Sequence, residues 1–532
     1  MSSNRRAFLQ HLGYGVAGFT LISTFSGCRS TGRSITQRLP RSSPEAQGVS
    51  SPGVLAFLAA LAKSKHEFHS FMMVRHGQVV AEGWWTPYQP DLTHTLYSMS
   101  KSFTSTSVGL AVAEGRLKVS DRVVSFFPEE LPATVSDHLA ALRVKDLLTM
   151  SVGHAKDPTR TLTEEVNWVK AFLALPIANP PGSVFLYNSL ATYMQSAIVQ
   201  KVTGQPILEY LKPRLFEPLG IEGVTWEMCP RGINTGGWGL NIQTEGLAKF
   251  GQLHLQQGVW QGRQILPAQW VEEATTFKIQ QPVIANPSRP KEQNDWQQGY
   301  CYQFWRCQHN AFRGDGAYGQ FTIVMPEQDA VIAITSESPN MQGELDLVWE
   351  HLLPAMKNQA LPPDPASATQ LRQTLASLVL QPPHGQPVPP IASDISGKTF
   401  QIEPNDLPAR SVTFNFQLGA CRFTLQNDQG DYSIVCGLEN WVQGETDMPG
   451  TPPKLIATGH LKGKTKYKVA AAGAWKDANT FVMIWRYNET PHHDQVTCRF
   501  EGDKVKVEFL NSIAKMSAKP TDKRPVLQGK LA

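Results

Sequence analysis

The chain has 532 residues, 41% of them hydrophobic and 18% charged, and a formal net charge of +4. That length calls for two or more domains, and that apolar share can fill real cores. No Lys/Arg cluster is interleaved with aromatics, which argues against nucleic acid as a partner, and after residue 30 no apolar run is long enough to cross a bilayer.

Residues 1–28 read as a targeting segment rather than as fold. Asn4-Arg5-Arg6-Ala7-Phe8-Leu9-Gln10 is similar to the twin-arginine export signal, and a weakly apolar stretch follows from Leu12 to Phe25. Phe25-Ser26-Gly27-Cys28 resembles a bacterial lipobox, with Phe25 where an aliphatic residue is usual. The expectation is an exported, periplasmic protein, with Cys28 as the lipid attachment site that would anchor it to the membrane. Six cysteines follow (Cys229, Cys301, Cys307, Cys421, Cys436 and Cys498) at spacings that match no zinc pattern. They read as small buried apolar residues, with disulfides allowed by export but not required.

Residues 29–45 are rich in Arg, Ser and Pro and read as a tether. Residues 46–357 alternate helical and strand patterns. Phe71–Val74 and Val79–Trp84 flank Arg75-His76-Gly77-Gln78, a hairpin signature. Residues 98–114 read as a helix stopped by Gly115, and Ser189–Val202 as another, capped by Ser189 and ended by Gly204. Phe321–Val324 and Ala330–Ile334 flank Pro326-Glu327-Gln328-Asp329, a second hairpin, and Leu347–Met356 reads as a closing helix. Strand pairs at both ends with helices between predict an α+β domain, an antiparallel sheet flanked by helices. Residues 358–395 carry eight prolines and read as a stiff linker broken by a helical run at Leu371–Leu380. From 396 to 532 strand follows strand: Ser411–Phe416, Cys421–Gln426, Lys454–His460, Tyr467–Trp475, Thr480–Tyr487, Val496–Phe500 and Val505–Leu510. This predicts an all-β barrel or sandwich.

The chemistry centres on Ser98-Met99-Ser100-Lys101. Positions i and i+3 of a helix share a face, so Lys101 can lie beside Ser98. A serine hydroxyl is a weak nucleophile until a base is within hydrogen-bond reach and N–H groups await the oxyanion. The string alone decides little, because Ser512-Ile513-Ala514-Lys515 repeats it by chance near a Lys-rich tail. His492 and His493 beside Asp494 suggest a metal, but adjacent residues of a strand point to opposite faces, so a solvated loop is expected there and no metal site.

Context separates the two strings. After Ser98-x-x-Lys101 come Ser151-Val152-Gly153-His154, then Gly182-Ser183-Val184-Phe185-Leu186-Tyr187-Asn188-Ser189 entering a helix, then Arg313-Gly314-Asp315-Gly316-Ala317 entering a strand. In this order, over roughly residues 45–355, the chain resembles the serine β-lactamase and penicillin-binding-protein superfamily. The match is to its class C-like branch, which includes esterases, D-aminopeptidases and 6-aminohexanoate-dimer hydrolases. The resemblance implies a β-lactamase/transpeptidase-like fold and hydrolysis of a small ester or amide, with no cofactor. It implies that Ser98 forms an acyl-enzyme, that Lys101 and Tyr187 act as one coupled base, and that the N–H groups of Ser98 and Ala317 form the oxyanion hole. Ser189, Asp315, Gly316 and His154 would face substrate, although Ser189 also reads as a helix cap and His154 as part of a turn.

Two departures bear on the substrate. The second motif reads Tyr187-Asn188-Ser189 rather than Tyr-x-Asn. In the third, Gly314-Asp315-Gly316 lacks the usual first-position cation, and Arg313 is the nearest residue that could meet a substrate carboxylate instead. The alternatives are a D-Ala-D-Ala carboxypeptidase or β-lactamase, or a penicillin-sensing or envelope-binding protein. The oligomeric state is open.

Overall fold

The computed structural model describes residues 38–282, 289–449 and 466–532. The export-signal residues with Cys28, and the expected strand Lys454–His460, lie outside the described residues. The elements used below are α1 (Ser51–Lys63), β1 (Glu67–Arg75), β2 (Gln78–Trp84), α2 (Ser100–Ala113), α3 (Ser189–Thr203), α4 (Thr244–Leu255), β3 (Trp305–Arg306), β4 (Phe312–Gly316), β5 (Gln320–Met325), β6 (Ala330–Glu337), α5 (Met341–Leu347) and α6 (Pro365–Ala376).

β1 and β2 form the expected hairpin, turned by His76 at φ 49 and Gly77 at φ 72, the left-handed pair of a two-residue turn. The sheet runs β2-β1-β6-β5-β4-β3, and its strands pair antiparallel throughout the described residues. Both faces are covered, which is why its strands read as apolar runs rather than alternations. Met72 and Val74 of β1, with Val331 and Ala333 of β6, face the larger core with α2, α3 and α4. Phe71 and Met73, with Ile332 and Ile334, face the opposite core with α1 and the C-terminal helices. α2 is buried on nearly all sides: Ser100, Ser102, Thr104, Ser105, Thr106 and Ser107 are all in the interior.

The closing helix begins at Met341, six residues before the expected start, and runs through a π turn at Val348–Leu352 to Ala355. The Pro-rich segment is not a free spacer. α6 places Leu371 in the α1 core, and Leu380 N donates to Thr86 O at 2.8 Å while Trp441 Nε1 donates to Leu380 O at 2.7 Å. A helix with one apolar stripe needs a partner surface, and α1 and β2 provide it. The end of the expected tether is likewise pinned, with Arg41 pairing Glu82 at 2.8 Å and Glu245 at 2.9 Å.

The C-terminal strands are β7 (Thr399–Ile402), β8 (Ser411–Gln417), β9 (Ala420–Asn427), β10 (Gly430–Leu438), β11 (Val442–Thr446), β12 (Tyr467–Asp477), β13 (Thr480–Tyr487), β14 (His493–Glu501), β15 (Lys504–Asn511) and β16 (Leu527–Leu531). They order as β10-β9-β8-β7-β16-β15-β14-β13-β12-β11, and a parallel pairing of β10 with β12 closes the sheet into a barrel. Phe400, Phe414, Phe423, Trp475, Phe481, Trp485 and Phe500 fill its interior. The six described cysteines are buried free thiols.

Candidate active site

Ser98 sits in a 3-10 turn, Tyr97–Met99, that leads directly into α2. The residue before it, Tyr97, is left-handed at φ 49, which bends the chain sharply before the helix. One turn on, the Lys101 ammonium is buried and has three acceptors: Ser98 Oγ at 2.9 Å, Ser189 Oγ at 3.0 Å and Gly237 O at 2.7 Å. Burial pulls its pKa down to about 7, against the opposing pull of Asp157 and Asp315. In its neutral form the amine keeps two N–H bonds and one lone pair. Gly237 O can only accept, so it holds one N–H; Ser189 Oγ can take the other; the lone pair then faces Ser98 Oγ.

Tyr187 enters from the loop before α3. Its phenol reaches the Ser98 hydroxyl, and its ring stacks on Trp305 at 5.7 Å and lies 4.9 Å from Lys101 Nζ. Burial raises its pKa, and the Asp315 charge adds to the rise. The cap of α3 is Asn188, whose Oδ1 accepts from Leu190 N at 3.0 Å and Ala191 N at 3.2 Å. Ser189, expected as the cap, is therefore free to turn its hydroxyl to Lys101.

His154 is buried and packs against this motif. Its Nδ1 is 3.1 Å from Asn188 Nδ2, its ring meets Phe172 edge-on, and burial lowers its pKa to about 4, so it is a neutral support for the Asn188 cap. Gly153, at φ 95, has no room for a side chain: a Cβ would lie 2.2 Å from Asn179 O.

The third motif forms the end of β4. A Cβ on Gly316 would lie 2.0 Å from Leu96 O, and one on Gly314 would lie 2.2 Å from Met99 Sδ. The glycines thus admit the chain's own Leu96–Met99 turn, and the fit sets Ala317 beside the turn that carries Ser98. Arg313 and Asp315, two apart on a strand, share a face and form an ion pair at 3.0 Å. Arg313 is wholly buried against Trp296 and donates to Asp295 O at 3.0 Å, so it does not present a free charge to a substrate carboxylate. Burial raises the Asp315 pKa, partly offset by Arg313.

A beta-lactamase family model matches residues 60–356. The chain belongs to the beta-lactamase family. It is a serine hydrolase of that fold, with a C-terminal β-barrel domain. The chain is 26% identical over 296 residues to the 6-aminohexanoate-dimer hydrolase of Paenarthrobacter ureafaciens, covering 51% of this chain and 73% of that protein. Among solved structures, the octameric penicillin-binding protein homologue from Pyrococcus abyssi is 14% identical, with 90% of this chain and 99% of that one covered and a TM-score of 0.46. A family VIII carboxylesterase is 16% identical, with 64% and 99% covered and a TM-score of 0.45.

Two residues that bond the Ser98–Lys101 segment or its neighbour Tyr97 have little or no signature in the sequence. Gly237 acts through a backbone carbonyl, which any residue type would provide. The other is His492. The expected solvated loop is instead interior: His492 precedes β14 rather than lying in it, so strand alternation does not apply. His492 Nδ1 is 2.6 Å and His493 Nδ1 3.1 Å from the two Glu337 oxygens. Glu67, Glu337 and His493 could each offer an atom to a cation, but Arg486 already pairs with Glu67 at 2.7 Å. Ser512, of the second S-x-x-K string, is a buried serine bonded to Glu337.

Proposed function

We propose that this enzyme hydrolyses small esters or amides through an acyl-enzyme on Ser98. The observation that carries the proposal is the buried Lys101 amine, 2.9 Å from Ser98 Oγ with its other donors engaged. Ser98 Oγ attacks the carbonyl carbon while its proton passes to the coupled Lys101–Tyr187 unit. The N–H groups of Ser98 and Ala317 receive the oxyanion. The same unit returns the proton to the departing alcohol or amine, leaving the acyl group on Ser98. Water then adds, its proton going to the unit, and collapse releases the acid and restores the Ser98 hydroxyl.

The Arg313–Asp315 pair leaves the third motif without a free cation, which favours substrates that are neutral next to the scissile bond over β-lactams. The likeness to a 6-aminohexanoate-dimer hydrolase adds linear oligoamides to the candidates. A panel of p-nitrophenyl esters, amino-acid amides, linear oligoamides and nitrocefin, run beside Ser98→Ala, tests this. Turnover of esters or amides abolished by Ser98→Ala is expected. Undiminished turnover in that variant, or nitrocefin as the preferred substrate, would sink the proposal.

A further inference from the structure

Two left-handed tyrosines flank the oxyanion donors, and one histidine from the barrel touches both. Tyr97, at φ 49, precedes Ser98; Tyr318, at φ 68, follows Ala317. Neither residue type relaxes into that region by itself, so each conformation is strained and persists only where its surroundings hold it. Their rings pack on each other with centroids 5.3 Å apart. The His492 imidazole stands edge-on to both, 5.8 Å from Tyr97 and 5.0 Å from Tyr318, and its Nε2 hydrogen-bonds the Tyr97 hydroxyl.

The histidine is itself fixed. Glu337, the last residue of β6, lies 2.6 Å from His492 Nδ1. Burial would raise the Glu337 pKa, but bonds from His492 and His493 hold it at about 2, so the carboxylate can only accept. Nδ1 therefore carries a hydrogen toward Glu337, which leaves Nε2 to bond the Tyr97 hydroxyl. The same loop is tied to the strand that precedes Ser98: Thr95 N donates to Glu489 O at 2.9 Å, and Tyr88 OH to Thr490 O at 3.0 Å. The barrel interior is filled with aromatic rings.

We propose that His492 is a positioning residue for hydrolysis: held by Glu337, it fixes Tyr97 and Tyr318 and thereby the N–H groups of Ser98 and Ala317. The proposal rests on the Ser98 and Ala317 roles given above. It is tested on the full chain by the rate at which a fluorophosphonate labels Ser98, located by mass spectrometry, and by kcat and KM for p-nitrophenyl acetate. Tyr97→Phe, which removes one oxygen, and His492→Ala should each slow labelling and lower kcat about 10- to 100-fold, the scale of a small misplacement of reacting groups. KM should stay within about twofold, because the ground-state contacts remain. His492→Gln, whose amide can still hydrogen-bond the phenol, should recover most of the loss, and the double variant should be no slower than the worse single one. Melting curves establish that each variant is folded; should His492→Ala not fold, Tyr97→Phe decides. Unchanged labelling in folded Tyr97→Phe, additive losses, or a loss confined to KM would overturn the proposal. Wild-type labelling at a residue other than Ser98 would overturn the acyl-enzyme reading first, and this one with it.

Discussion

In the proposed mechanism Lys101 decides the chemistry at the scale of single residues, because only its neutral form offers a lone pair to Ser98 Oγ. Its pKa is drawn down to about 7 by burial. Below that value the amine is an ammonium with three donors and no acceptor; above it the base is present. The plot of kcat/KM against pH, which reports the free enzyme, should therefore rise through an apparent pKa near 7 and level off above it. Lys101→Arg, whose guanidinium does not deprotonate, should remove the rising limb with a loss of about 10²–10⁴-fold. A flat profile from pH 5 to 9 in the wild type would assign the base elsewhere. Ser189 and His154 support this arrangement at one remove, the first through its bond to Lys101 and the second through the Asn188 cap.

Individual elements show how backbones are brought close enough for that arrangement. β4 lies against the Leu96–Met99 turn only because Gly314 and Gly316 lack side chains, but the two glycines face different neighbours. A Cβ at Gly316 meets the Leu96 carbonyl, which is anchored in the backbone; a Cβ at Gly314 meets the Met99 thioether, which can move. Gly316→Ala should cost about 1–3 kcal/mol and depress kcat, whereas Gly314→Ala should cost less on both counts. Urea unfolding and esterase assays of the pair check this; equal effects would contradict the contact geometry. The same elements mark what could be read from the chain. Ser98, Lys101 and Tyr187 were legible because side-chain chemistry at fixed spacing identifies them, and α2 and α3 because glycines stop them. Gly237 was not, since its role is a carbonyl oxygen. The packing of α6 was obscured by prolines, which give stiffness to a free linker and to a packed strap alike. His492 stands 395 residues from Tyr97 and meets it only through the folded barrel, so no local pattern could have paired them.

Across the whole molecule, two carboxylates of the hydrolase sheet are held by side chains of the barrel. Burial would raise the pKa of Glu67, but Arg486 and His69 bring it well below the usual carboxylate range; Glu337 is held at about 2 by His492 and His493. Glu67 and Glu337 belong to the sheet, while Arg486, His492 and His493 come from the barrel. A carboxylate whose folded pKa is depressed contributes stability that is full above its unfolded value, about 4.3, and is lost as pH falls toward the folded one. Because the contribution spans the interface, its loss should loosen both domains together. Calorimetry is expected to show one transition at pH 7, with a midpoint that drops steeply between about pH 4.3 and pH 2. Glu337→Gln cannot ionise, so it should start from a lower midpoint at pH 7 and fall less steeply over the same window. Two separate transitions at pH 7, or an acid slope unchanged in Glu337→Gln, would mean that the interface charges do not couple the barrel to the hydrolase domain.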